Sequence, residues 1–155
     1  MRRSRIAALF APMALLACTS SAAASVIAVA KTPWCGCCSE WVDRMEAAGF
    51  MLEVRDVPDT APVATEAGVP DNLRSCHTAM VEGYAIEGHV PAEDIRRLLA
   101  ERPDAVGLSV PGMPIGSPGM EQGDRVDRYH VVLIMRDGRH KIWSTRGGPA
   151  PVHAH

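Results

Sequence analysis

Three cysteines fall within four residues, Cys35-Gly36-Cys37-Cys38, and a further one, Cys76, is followed directly by His77. A thiolate is both a nucleophile and a soft metal ligand, so such a cluster can perform thiol–disulfide exchange or bind metal. Cys35 and Cys38 stand at C-x-x-C spacing, and the helical pattern that follows puts them at a helix N-terminus. Free amides and the helix dipole favour thiolates there. Cys37 adds a third soft donor and interferes with clean two-cysteine exchange. His89, Met113 and Met120 supply further soft or borderline donors. Thiolate and thioether ligands select Cu(I), with zinc the main competitor. Cys35, Cys38, Cys76 and His77 would also make up a tetrahedral zinc set. The plainer alternatives are a disulfide with a spare thiol, a buried free Cys76, a hydrogen-bonded His77, a capping His89 and two methionines filling apolar gaps.

The elements that must position these residues are legible in outline. Ser25 to Ala30 is a short apolar run, as in a buried strand. Trp41, Val42, Met45 and Ala48 recur at helical spacing over Cys38–Ala48, and Gly49 supplies the stop. Phe50–Val57 reads as a second strand and Asp59–Ala67 as a short Asp-capped helix. Thr78–Val81 and Tyr84–Ile86 form a hairpin around Glu82-Gly83. Pro91 opens an amphipathic helix to about Arg102, with Ile95, Leu98 and Leu99 on one face. The resulting order, β-α-β-α-β-β-α, is that of the thioredoxin-like α/β architecture. A Pro/Gly-rich loop, Val110–Gly123, then carries Met113 and Met120. Tyr129–Met135 and Arg139–Thr145 form an added hairpin around Asp137-Gly138, and residues 147–155 read as a flexible tail. Trp34 and Trp41 read as packing around the site, and His130 as a solvent-facing strand residue.

The length of 155 residues suits one domain, spanning residues 25–146. Residues 1–24 read as a signal peptide: Arg2, Arg3 and Arg5 precede an apolar stretch, Ile6–Ala17, and Ala22-Ala23-Ala24 offers a cleavage site. Leu15-Leu16-Ala17-Cys18 offers the alternative of a lipoprotein anchored at Cys18. Both readings place the mature protein outside the cytoplasm, in the periplasm. Net charge is −2 for the whole chain and becomes −5 once those three arginines are removed. No basic run remains to serve nucleic acid, and only lipidation at Cys18 would bring the protein to a membrane.

Thr32-Pro33-Trp34-Cys35-Gly36-Cys37-Cys38 resembles the thioredoxin active-site segment, with Cys37 where that family has proline. The loop before the third strand carries a cis-proline in thioredoxins, and Cys76-His77 stand there instead. Four motifs together resemble one family. They are Cys-x-Cys-Cys, Ser75-Cys76-His77-Thr78-Ala79, Glu87-Gly88-His89-Val90-Pro91, and the loop from Pro111-Gly112-Met113-Pro114 to Gly116-Ser117-Pro118-Gly119-Met120-Glu121. The family is that of the small exported copper-resistance proteins of the CopG type. The resemblance covers about residues 25–145. It implies a thioredoxin-like fold, copper held by Cys35, Cys37 and Cys38, and a part in periplasmic copper handling that extends to Cu(I)/Cu(II) chemistry and other copper-handling proteins. Cys76, His77, His89, Met113 and Met120 match the family motifs in position, and their role as ligands is read from their chemistry. The competing function is a thiol–disulfide oxidoreductase with Cys35 attacking and Cys38 resolving. A zinc-stabilised module without chemistry is the third.

Overall fold

The computed structural model describes residues 25–148. The expected signal peptide, the alternative anchor Cys18 and the tail beyond Gly148 lie outside the described residues. Among those described, one seven-stranded sheet runs in the order β2-β1-β3-β4-β5-β6-β7. The strands are β1 (Val26–Lys31), β2 (Met51–Asp56), β3 (His77–Val81), β4 (Tyr84–Glu87), β5 (Ala105–Ser109), β6 (Tyr129–Met135) and β7 (His140–Arg146). The helices are α1 (Gly36–Ala47), α2 (Ala61–Glu66) and α3 (Ala92–Glu101), with a single 3-10 turn at Asp71–Leu73.

Helix α1 buries Cys38, Trp41, Val42 and Met45, the i, i+3, i+4, i+7 stripe of an amphipathic helix. It ends in a Schellman arrangement: Gly49 is left-handed at φ +88°, its N–H reaches the Glu46 carbonyl, and the Phe50 N–H reaches that of Met45. Helix α2 takes Pro62 in its first turn, and Asp59 Oδ1 accepts the Ala61 N–H at 2.9 Å. Helix α3 carries Glu93 and Asp94 in its first turn, where acidic groups suit the dipole.

Strand alternation sorts the core into two layers. Ile27, Val29, Ala79, Ile86, Leu108, Val131 and Leu133 pack with Trp41, Met45, Ile95 and Leu98, so α1 and α3 share one face. Ala85, Val132 and Ile134 pack with Ala64, Val69 and Leu73 on the face carrying α2. The β3–β4 hairpin turns at Glu82 (φ +47°) and Gly83 (φ +86°), the two left-handed residues a type I′ turn requires.

Strand β5 departs from the sequence reading, which left Ala105–Ser109 without structure. Its residues are Ala-Val-Gly-Leu-Ser, short and glycine-bearing, and so weak in strand signals. The strand forms because it pairs parallel to β4 and antiparallel to β6, with Gly107 lying so close to Ala85 that a Cβ would collide with its carbonyl. Through β5, the β6–β7 hairpin continues the same sheet and is no appendage. The order of the first four strands, with β3 antiparallel to both neighbours, brings three chain segments to one end of the sheet. The end of β1 lies beside the start of β3, where Lys31 pairs with His77. The end of β4 lies there too, where Thr78 pairs with Glu87.

Candidate metal centre

The cysteine and histidine motifs meet at that end. Cys35 sits at the N-cap of α1 with no side-chain capping bond to the first-turn amides. Cys76 and His77 enter β3, and His89 follows β4 after Gly88. The ligand atoms of Cys35, Cys37, Cys38 and Cys76 lie within 4.8 Å of one another, and so do those of Cys76, His77 and His89. Cys76 belongs to both groups. Its Sγ is 3.0 Å from His89 Nε2 and 3.5 Å from His77 Nδ1.

Cys35 and Cys38 form a disulfide in this structure, with Cα atoms 5.4 Å apart, while Cys37 and Cys76 are free thiols. The C-x-x-C spacing at a helix start brings the two Cα atoms within bridging range. In this form their sulfurs are not thiolates. Cys37 Sγ lies 3.6 Å from Cys35 Sγ, and Cys38 Sγ lies 3.6 Å from the Cys76 carbonyl.

Both histidines are fully buried. His89 Nδ1 donates to the Pro118 carbonyl at 2.8 Å, which fixes the tautomer and turns the Nε2 lone pair toward Cys76. His77 packs against Trp41, ring centroids 4.6 Å apart and the planes tilted by 46°, and its Nε2 has no hydrogen-bond partner. Burial, with the neighbouring His89, drives the His77 pKa down to about 3. Burial also lowers that of His89, against the pull of the Pro118 carbonyl and Glu121. Burial thus favours the neutral form of both rings, the form in which an imidazole can bind a metal. Burial, then the Cys37 thiol, pushes the Cys76 thiol up to about 12. A bound cation reverses that preference, because it stabilises the thiolate. Neutral imidazoles, sulfur donors and an unsatisfied buried ring nitrogen make this a fitting site for a soft or borderline metal ion.

The Val110–Gly123 loop closes over the cluster. The Gly112 carbonyl accepts from Ser75 Oγ, next to Cys76, and Pro118 binds His89. Gly119, at φ +84°, lies so close to α1 that a Cβ would come 2.7 Å from the Trp41 nitrogen and 2.8 Å from the Cys37 carbonyl oxygen. Met120 is half-buried, its N–H on the Ser117 carbonyl, whereas Met113 is 54% exposed. Trp34 is 74% exposed and does not pack around the site as expected; Trp41 does, and its indole N–H donates to the Val90 carbonyl at 3.0 Å. His130 is exposed, as expected.

Two supports of the site were missed in the sequence. The Pro118 carbonyl is a backbone group and left no signal. Glu87 stood within a recognised motif, but only the fold shows it buried beside the Cys76 loop.

Fold and site define an α/β protein with a partly buried Cys/His cluster able to hold a metal at one end of its sheet. Comparison with known proteins names the family. Residues 73–120 match the family described as protein of unknown function, DUF411. Two solved structures of copper resistance protein CopG are similar over most of this chain. Form 2 shares 44% identity at a TM-score of 0.77, covering 80% of this chain and 99% of that one. Form 1 shares 46% identity at a TM-score of 0.76, covering 79% and 98%. No curated protein matches the sequence. The chain belongs to the CopG family, the family of copper resistance proteins that its motifs resembled.

Proposed function

We propose that this is an exported, periplasmic copper-binding protein of copper resistance, built on a thioredoxin-like frame, which holds Cu(I) in the Cys/His cluster. The observation that carries the proposal is Cys76, whose sulfur is shared by an all-cysteine group and a cysteine–histidine group. Similarity to copper resistance protein CopG supports copper over zinc. The β2-β1-β3-β4 order with helices on both faces supports the thioredoxin-like reading. The expected leader, residues 1–24, supports export.

The Cys35–Cys38 bridge adds a redox couple. Two electrons and two protons turn the disulfide into two thiols, so four sulfurs face the cluster where two free thiols stood before. In the opposite direction, two Cu(II) ions taking up one electron each would oxidise the two thiols to the disulfide, releasing two protons and leaving two Cu(I), which links the oxidation state of copper to the sulfur count of its own site.

The disulfide also favours a second reading, a thiol–disulfide oxidoreductase using Cys35 and Cys38. Cys37→Pro separates the two. An oxidoreductase keeps or gains insulin-reducing activity, whereas a copper site loses affinity or stoichiometry. Anaerobic titration of the reduced protein with Cu(I) against a competing chelator, followed by metal counting, is the primary test. Cu(I) is expected to bind far more tightly than zinc, and Cys76→Ser to lower the count more than Cys35→Ser. Cu(I) bound no more tightly than zinc overturns the proposal.

A further inference from the structure

We infer that Glu87 is the positioning residue of the cluster, a buried carboxylate that clamps both ends of the Cys76-His77 segment and sets the sulfur and imidazole in register. The inference deepens the proposed function and rests on it for its metal readout.

Glu87 ends β4 and is 1% exposed. Its Oε1 accepts the Ser75 N–H at 2.7 Å and its Oε2 accepts the Thr78 hydroxyl at 2.7 Å. Ser75 and Thr78 are the residues immediately before and after Cys76-His77, so one side chain holds the segment at both ends. Thr78 is also the cross-strand partner of Glu87, which fixes the carboxylate relative to the β3 backbone. The clamp extends along its own chain. The Gly88 N–H bonds the His77 carbonyl at 2.9 Å, and the Glu87 carbonyl accepts the Val110 N–H at 3.0 Å at the root of the covering loop. Gly88 packs so tightly on Ser75 that any Cβ there would overlap its side chain. His89 follows one residue later.

A buried carboxylate is costly, and this one forms no direct ion pair among the described residues. A hydrophobic side chain would fill the space at less cost. It would also leave the Ser75 N–H unsatisfied and release the loop that carries Cys76. Groups that orient a ligand from behind are typically worth about 10–100-fold in metal affinity.

The test compares Glu87→Ala, Glu87→Gln and Asp94→Ala with the wild type. Gln keeps an oxygen for the Ser75 N–H and offers its NH2 to the Thr78 oxygen, so it should restore most of the function. Asp94 is a buried, ion-paired carboxylate on α3, outside the site, and controls for lost stability. Folded Glu87→Ala, checked by far-UV circular dichroism, is expected to bind Cu(I) about 10–100-fold more weakly. Glu87→Gln and Asp94→Ala should stay near wild type. Wild-type affinity in Glu87→Ala, or an equal loss in Asp94→Ala, overturns the inference. Should Glu87→Ala fail to fold, Thr78→Val removes one end of the clamp with little change of shape. A smaller but measurable loss is then expected, and none overturns the inference. Alkylation of Cys76, followed by peptide mapping, needs no metal and should be faster in Glu87→Ala. If wild type binds no Cu(I) while this rate still rises, the copper reading fails and the clamp stands.

Discussion

Cys76 joins two donor groups that carry different chemistry. On its helix side lie sulfurs, two of them tied in a disulfide; on its sheet side lie two imidazoles kept neutral by burial. Their neutrality has a cost that stability measurements can read. An unfolded chain takes up a proton on His77 as pH falls through 6.5, whereas the folded chain does so only near 3. Stability contributed by neutral His77 is therefore present above pH 6.5 and is lost as pH falls toward 3. His89 acts in the same direction. Glu87, raised by burial, acts oppositely: its folded form holds a proton at pH values where the unfolded carboxylate has lost it. Urea denaturation of the metal-free protein between pH 7 and 5 should show stability falling with pH. His77→Gln should flatten that slope, and an unchanged slope would show that His77 titrates near its ordinary value.

At the scale of elements, the Val110–Gly123 loop is the piece that encloses the cluster. It reaches the site because β5 runs parallel to β4 and delivers Val110 to the same end of the sheet. It is held down by the Pro118 carbonyl on His89 and by the bare backbone of Gly119 against α1. Gly119→Ala adds a Cβ at a left-handed position and into the backbone of Cys37 and Trp41. It should cost about 1–3 kcal/mol, measured by thermal or urea denaturation. His89 should then lose its tie to Pro118, visible as a shifted ring signal in NMR spectra. Retained stability and an unmoved His89 signal would show that the loop does not press on α1.

Across the whole molecule, the far edge of the sheet is tied to the helix layer by charge. Arg146 on β7 binds Asp94 at 2.9 Å and Glu93 at 2.9 Å, both in the first turn of α3, and Arg97 lies over the Trp143 ring at 3.9 Å. Asp94 is buried, so Asp94→Ala removes a shielded charge-assisted bond and should cost about 1–3 kcal/mol in denaturant titration. Faster amide exchange in β7 should accompany it, with metal binding unchanged. Exchange unchanged in β7 would show that the β6 ladder alone secures that edge.

The sequence by itself determined which residues have chemistry to offer and which local elements carry them. Cysteine spacing, the stripe from Trp41 to Met45 and the Gly49 stop are properties of neighbours along the chain, and neighbours set helix periodicity and capping. The burial that neutralises His77 and His89 and the clamp at Glu87 came only with the tertiary structure. Each depends on groups distant in sequence: His89 meets Pro118, Glu87 meets Ser75, and His77 meets Trp41. Strand β5 shows the same division most plainly. Its five residues include a glycine and only one β-branched side chain, and pairing with β4 and β6 makes the strand that carries the covering loop to the site.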